Sequence, residues 1–281
     1  MNSVIPAQGV ALDRRPSQER PWADIDFACP SCKKPVDYVT GAWECAGCGG
    51  RYPVDGGLHR FFVDPAPGVA SEMRQYTDGF RTLDAANKYA RSFVEHPRLR
   101  RRTRNEIAVL ADLVGSDPGA RILNVPCGAG RLSAPLRRPG TVLLEADSSP
   151  GQLHLNRQRF GDVPDTVWLT ASAFDLPLPD GAVDTVVCAR LSHHLHRPVD
   201  RERLLIELLR VARRRLVFSF RNVRSLPALS RRLRGRAIHA TVMSIDEVES
   251  CAARHGARLE RWRSVSNLGA RHTYALLSRD A

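Results

Sequence analysis

Residues Arg121 to Gly130 read R-I-L-N-V-P-C-G-A-G. An apolar strand runs straight into a tight glycine turn, and Arg131 to Leu136 are placed to open a helix behind it. The next strand, Thr141 to Ala146, ends on Asp147. Such a strand and turn, followed by an acid closing the neighbouring strand, is how an open α/β sheet grips a nucleoside-bearing cofactor. Glycine lets the backbone approach the ligand. The acid can take both ribose hydroxyls, or it can cap the helix that follows, a task Ser149 could also perform.

The rest of the chain extends this alternation. The patterning predicts strands at 121–125, 141–146, 167–171, 183–189, 215–220, 257–265 and 272–278. Helices are predicted at 150–160 and 201–212, the second with Asp200 as N-cap. Ser244 to Glu247 fits a capping box for a last helix that ends at Gly256. Strand–helix alternation of this kind predicts an α/β fold, a mostly parallel seven-stranded sheet with helices on both faces. With 281 residues there is room for one such domain and something small. Residues 1–23 read as a loose polar tail, 24–65 as a cysteine module and 66–117 as a helical linker. The α/β domain then occupies 118–281. Ile107, Leu110, Ala111 and Val114 form the linker's apolar stripe, which Asp117-Pro118-Gly119 breaks.

Apolar stretches such as Leu204 to Leu209 are interrupted by acids and too short to span a bilayer. The N-terminal stretch lacks the apolar core of a signal peptide, so a cytoplasmic protein is expected. The net charge of +12 is carried almost entirely by arginine. Arg210 to Arg236 contains ten arginines and no acid, and Arg98 to Arg104 contains five more. Such runs fit a phosphate-binding patch or plain solvated faces equally. The oligomeric state is left open.

Cys29-x2-Cys32 and Cys45-x2-Cys48 stand at knuckle spacing, with twelve residues between the pairs. This suits one tetrahedral Zn²⁺ held by four thiolates. Two disulfides are the competing reading, disfavoured in a cytosolic protein. The surrounding C-P-S-C and W-E-C-A-G-C-G-G-R-Y-P-V-D-G-G-L resemble the small zinc-ribbon activators of tRNA and release-factor methyltransferases. That likeness implies a closed, structural zinc site. His59 lies eleven residues beyond Cys48 and reads as a surface histidine.

Four segments over residues 100–280 resemble class I S-adenosylmethionine (SAM)-dependent methyltransferases with a Rossmann-like sheet. They are N-V-P-C-G-A-G (124–130), E-A-D-S-S-P (145–150), S-A-F-D-L-P-L-P-D-G-A-V-D (172–184) and L-S-H-H-L (191–195). The third is like the quinone-biosynthesis type. The resemblance implies SAM as cofactor, held by Asn124, Pro126, Gly128, Gly130, Asp147, Ser148, Ser172, Ala173 and Arg190. Three positions depart from the pattern. Asn124 replaces an acid, Pro126 replaces a glycine and offers no N–H, and Ser172 replaces the acid that takes the adenine amino group. Among the plainer readings, Cys127, Cys188 and Cys251 are packing residues, Asp184 begins a strand and Asp175 fixes its own loop.

Methyl transfer from a sulfonium needs alignment more than acid–base help. His193 and His194 follow the fourth strand of the α/β domain, where an acceptor would sit. They are the candidate catalytic bases, against the alternative of loop histidines bonded to backbone. After that strand the chain reads C-A-R-L, not the Asn/Asp-Pro-Pro-Tyr of enzymes that methylate exocyclic amines and glutamine amides. The Pro126-Cys127 pair lies in the glycine loop, unlike the catalytic pair of cytosine C5-methyltransferases. A small-molecule acceptor, natural-product or quinone-like, is the leading expectation. An rRNA or tRNA base is the alternative, reached through the ribbon and the basic segments, and a non-catalytic binding protein is a third. Segments 70–105 and 221–243 are expected to build the acceptor pocket. Tyr76, Phe80 and Tyr89 would line it or form a core stripe.

Overall fold

Alternating apolar residues along the predicted strands divide between two cores, one on each side of a sheet. Ile122, Leu143, Val187, Val217, Tyr274 and Leu276 belong to one cluster, and their neighbours Leu123, Leu144, Val186, Leu216, Ala275 and Leu277 to the other. This is the period-two signature of strands buried on both faces. The computed structural model describes residues 22–62, 83–161, 163, 165–235, 241–265 and 272–279. Residues 1–21 of the expected tail, and Tyr76 and Phe80, lie outside them, as does the side chain of Tyr89.

In chain order the elements are β1 (Asp37–Val39), β2 (Ala42–Glu44), β3 (Arg51–Asp55), β4 (Leu58–Arg60), α1 (Leu83–Glu95) and α2 (Pro97–Val114). Then follow β5 (Arg121–Asn124), β6 (Val142–Asp147), α3 (Pro150–Phe160), β7 (Thr166–Thr170), β8 (Val183–Cys188) and α4 (Pro198–Val211). The chain continues with β9 (Ala212–Asn222), α5 (Leu226–Leu233), β10 (Val242–Met243), α6 (Ile245–Arg254), β11 (Ala257–Ser264) and β12 (His272–Arg279).

The sheet has twelve strands rather than seven, in the order β1-β2-β3-β4-β7-β6-β5-β8-β9-β12-β11 with β10 beside β9. The expected strands run consecutively from β7 to the edge strand β11, parallel from β7 to β9, with β12 antiparallel to both β9 and β11. The additions come from the cysteine module and β10. Strand β4 pairs in parallel with β7, setting Leu58 against Trp168 and Arg60 against Thr170. A ladder edge is a ready template for another strand, and the module covers the one that β7 would otherwise present. Its Ile25, Phe27, Trp43, Tyr52 and Phe61 share one apolar cluster with Leu144, Leu169 and Phe174. Lys33 fastens it further, donating to Glu207 at 3.0 Å and to the Leu176 carbonyl.

Several local expectations change. Arg131 to Leu136 do not form a helix; only a 3₁₀ turn forms, at Ala134–Leu136, with Pro135 inside it and Pro139 three residues beyond, where neither can donate an N–H to a continuing helix. Helix α4 starts earlier than expected, at Pro198, with Arg197 as N-cap, so Asp200 sits in the first turn instead. The linker is broken at His96-Pro97 into α1 and α2, and α2 stops at Gly115 with φ +71°. The Ser244–Glu247 capping box forms as read. No helix among the described residues is long and apolar enough to cross a membrane.

Candidate active site and cysteine centre

The chain order turns at β5. Strands β6 and β7 lie on one side of it and β8 and β9 on the other. In open α/β sheets ligands bind outside the carboxyl ends of the strands at such a switch point. A cavity of about 330 Å³ lies there, walled by the glycine loop, the ends of β6 and β8, and helices α1 and α2.

Of the residues expected to hold cofactor, Asn124, Pro126, Gly128, Asp147, Ser148 and Arg190 line this cavity, as do His193 and His194. Gly130, Ser172 and Ala173 do not. Gly130 answers to packing instead. It has φ +74°, and a Cβ there would lie 2.2 Å from Asn156 Oδ1 on α3. Gly128, at φ +55°, meets nothing nearer than Gln152 Oε1 at 3.8 Å, so its bare backbone faces the open space. Ser172 Oγ accepts from the Phe174 amide within its own loop, and Asp175 pairs with Arg203, which ties that loop to α4. Asp184 is likewise structural, accepting from the Arg121 amide at 3.0 Å and pairing with Arg213.

Asp147 braces the loop. Its Oδ2 accepts from Gly128 N and its Oδ1 from Ser149 N, both at 2.9 Å. Ser149 caps α3, accepting from Gln152 N, so the cap does not need Asp147. Burial pushes the Asp147 carboxyl up to about 6, against the lowering effect of the Ser149 and Gly128 amides. The Val125–Pro126 peptide is cis.

The departure at position 124 has a structural reason. Asn124 stands opposite Glu145 in the β5–β6 register. Its Nδ2 donates to Glu145 Oε2 at 2.8 Å and to Ser133 Oγ at 3.3 Å, and Asn124 and Glu145 are fully buried. An aspartate there would set two carboxylates against each other. Cys127 is also buried, and burial, then Glu145 and Asp147, push its thiol well above the usual range, which makes it inert packing.

His193 and His194 lie in a 3₁₀ turn after β8 with ring centroids 4.1 Å apart, and His272 meets His193 edge-on at 4.9 Å. Burial, then the neighbouring His194 and Arg190, hold His193 far below the ordinary imidazole range. Burial with Arg221 and Arg190 lowers His194 to about 4. Both rings are therefore neutral at pH 7, and each is a weak proton acceptor.

Sequence reading missed the residue that organises the far wall. Glu106 on α2 is fully buried. Arg131 and Arg190 each donate to it, and Arg102 lies 3.5 Å away. An acid four residues before Leu110, on the helix's apolar stripe and behind a run of arginines, was the available signal.

In the cysteine module, Cys29 Sγ lies 3.5 Å from Cys48 Sγ and Cys32 Sγ 3.4 Å from Cys45 Sγ. A disulfide would need about 2.05 Å. All four sulfurs lie within 4.8 Å of one another, near the spacing of roughly 3.8 Å that tetrahedral thiolates take around zinc. The Tyr52 hydroxyl sits 3.0 Å from Cys29 Sγ, where it can support a ligating sulfur. His59 is not a surface residue. It is buried, its Nδ1 accepts from Trp43 Nε1 at 2.9 Å, and it packs among Trp22, Phe27 and Trp43. Cys188 and Cys251 are buried as expected.

Four arginines of the basic segment 210–236 are committed internally: Arg210 binds Glu207 and Asp180, Arg213 binds Asp184, Arg214 binds Asp117 and Arg224 binds Asp246.

Residues 123–219 match the family model described as a methyltransferase domain. Over those residues the α/β part of this chain is similar to a methyltransferase domain. The domain is similar to the demethylmenaquinone methyltransferase of Renibacterium salmoninarum, 31% identical over 111 residues, 40% of this chain and 44% of that one. It is also similar to a ubiquinone/menaquinone biosynthesis C-methyltransferase of Vibrio cholerae, 33% identical over 119 residues, 39% of this chain and 44% of that one. The chain thus spans less than half the length of these curated relatives. Among solved structures, the fold is similar to that of magnesium protoporphyrin IX methyltransferase from Synechocystis with bound SAH. The TM-score is 0.62 at 16% identity, covering 74% of this chain and all of that one.

Proposed function

We propose that the chain is a SAM-dependent methyltransferase acting on a small-molecule acceptor, with a structural zinc ion in its ribbon. The observation that carries the reading is the buried Asp147 carboxylate closing β6 at the cavity, tied to the glycine loop through Gly128 N. It offers two acceptor oxygens where an open α/β sheet receives a ribose. Asn124, Pro126 and Gly128 would flank the cofactor, with Ser148 beyond Asp147 and Arg190 on the opposite wall. Ser172, Ala173 and Gly130 would act by shaping the loops behind them.

The sulfonium of SAM supplies an already activated methyl group, so the protein's task is alignment and exclusion of water. His193 and His194 fit positioning of the acceptor through neutral nitrogens better than removal of its proton, since an effective base titrates near the working pH. Four converging thiols with a supporting tyrosine fit zinc. The ion would stiffen a module whose β1 and β2 are three residues each.

Calorimetric titration with S-adenosylhomocysteine (SAH) tests the proposal. Saturable one-to-one binding is expected. Asp147→Ala should weaken it by about 1–3 kcal/mol if two ribose hydrogen bonds are lost. No binding to zinc-loaded protein would end the reading.

A further inference from the structure

Helix α5 turns its apolar side outward. Leu226, Leu229 and Leu233 stand at i, i+3 and i+7, the spacing by which a surface helix presents one stripe to its own core. Here the three are 53%, 46% and 81% exposed, while Ala228 on the opposite side is buried. Single exposed leucines are ordinary, but a cluster of them marks a surface that meets something. Of nine large apolar residues exposed among the described residues, three lie on this one short helix. Its base is fastened, so the stripe is held outward. Val223 N donates to the Met243 carbonyl at 3.0 Å, and Arg224 pairs with Asp246.

Charge narrows the kind of partner. Residues 221–243 include six arginines and no acid. Arg232 and Arg234 are exposed on either side of Leu233. Ion pairs inside the protein do not remove the attraction to an anionic surface, because the whole chain, every acid counted, carries +12. Leucines on one side with arginines around them suit a helix lying in the headgroup layer of a bilayer, where apolar side chains enter the acyl boundary and guanidiniums meet phosphates. A nucleic acid would engage the arginines but leave the leucines in water, and α5 has no aromatic residue on which a base could stack.

Placement gives the surface a use. Strand β9 runs parallel to β8 and ends at Asn222, so α5 follows at the same edge of the sheet that carries the cavity. Arg221, at the start of the segment, is close enough to lower His194, which lines that cavity.

We infer that α5 docks the protein on an anionic lipid surface, with Leu226, Leu229 and Leu233 entering the acyl boundary and Arg232 and Arg234 meeting lipid phosphates. Under the methyltransferase reading, docking brings the cavity's edge of the sheet to the lipid, a source of apolar acceptor. The docking itself does not depend on that reading.

Vesicle flotation of the zinc-loaded full chain tests the inference. The protein should bind phosphatidylcholine vesicles containing about a third phosphatidylglycerol. Binding to phosphatidylcholine alone should be about ten-fold weaker or less, and rising salt should release the protein from the anionic vesicles. Leu229→Ser/Leu233→Ser keeps the charge and should weaken binding about five-fold or more, with thermal melting used to verify its fold. Arg232→Gln/Arg234→Gln keeps the leucines and should remove most of the preference for the anionic lipid. Absence of vesicle binding, or binding that survives the leucine variant in a folded protein, would overturn the proposal. With vesicle binding absent, a dimer that the leucine variant dissociates would assign the stripe to a second copy, and retention of oligouridylate would assign the arginines to nucleic acid. No cofactor enters this assay, so its failure leaves the methyltransferase reading to the separate titration with SAH.

Discussion

Replacing Asn124 by aspartate restores the residue common in similar glycine loops, yet in this chain it should be damaging. The amide donates to Glu145 at 2.8 Å with both residues fully buried. In Asn124→Asp the donor becomes a second carboxylate at about the same distance. With an effective dielectric near 20, two charges about 3 Å apart repel by roughly 5 kcal/mol. The folded protein can avoid this by keeping a proton on the pair. Holding it at pH 7.5, when a free carboxyl titrates near 4, costs about 1.4 kcal/mol per pH unit, or roughly 4–5 kcal/mol. Both routes agree, so the variant should lose about 4 kcal/mol at pH 7.5. The sign of the pH effect follows. The folded pair binds a proton that the unfolded chain releases, so the variant's stability falls as pH rises above about 4. At pH 5 the penalty should shrink to about 1–2 kcal/mol. Asn124→Asp/Glu145→Gln reverses the hydrogen bond and should recover most of the loss. Urea denaturation at the two pH values measures all three proteins. A single-variant cost under 1 kcal/mol at pH 7.5, or one that does not change with pH, would refute this reasoning.

Four further outcomes are expected. Gly130→Ala should cost more than 2 kcal/mol in denaturation, since its Cβ would strike Asn156, whereas Gly128→Ala should cost about 1–2 kcal/mol from its positive φ alone. His59→Ala should destabilise by roughly 2–4 kcal/mol, because it leaves Trp43 Nε1 buried without an acceptor and opens a cavity; a surface histidine would cost under 0.5 kcal/mol. SAH affinity should be flat above pH 7 and fall as pH drops through about 6, approaching ten-fold per unit, because the ribose needs the Asp147 carboxylate and protonation removes it. Metal analysis should find one zinc per chain, and chelation should lower the midpoint of thermal unfolding by several degrees or more.

Much of the architecture was legible because parallel strands buried on both faces write continuous apolar runs. The ends of β5, β6 and β8 fell within a residue or two of expectation for that reason. Punctuation by Ser149-Pro150 and the Ser244–Glu247 box made the starts of α3 and α6 readable. What escaped depended on partners distant in sequence. The β4–β7 pairing joins residues over a hundred positions apart, and no local pattern announces it. His59 looked exposed because its acceptor role needs Trp43, and the exchange of acid for amide at 124 makes sense only beside Glu145. Glu106 was hidden by ordinary expectation, since an acid on a helix is usually solvated, and three arginines from separate segments had to converge before it could be read.

The most direct measurement is a crystal structure of the zinc-loaded protein with SAH. The account predicts density at the β5–β6–β8 edge, with the ribose hydroxyls within hydrogen-bond distance of Asp147. A nucleoside bound elsewhere, or one in the cavity whose ribose turns away from Asp147, would contradict it.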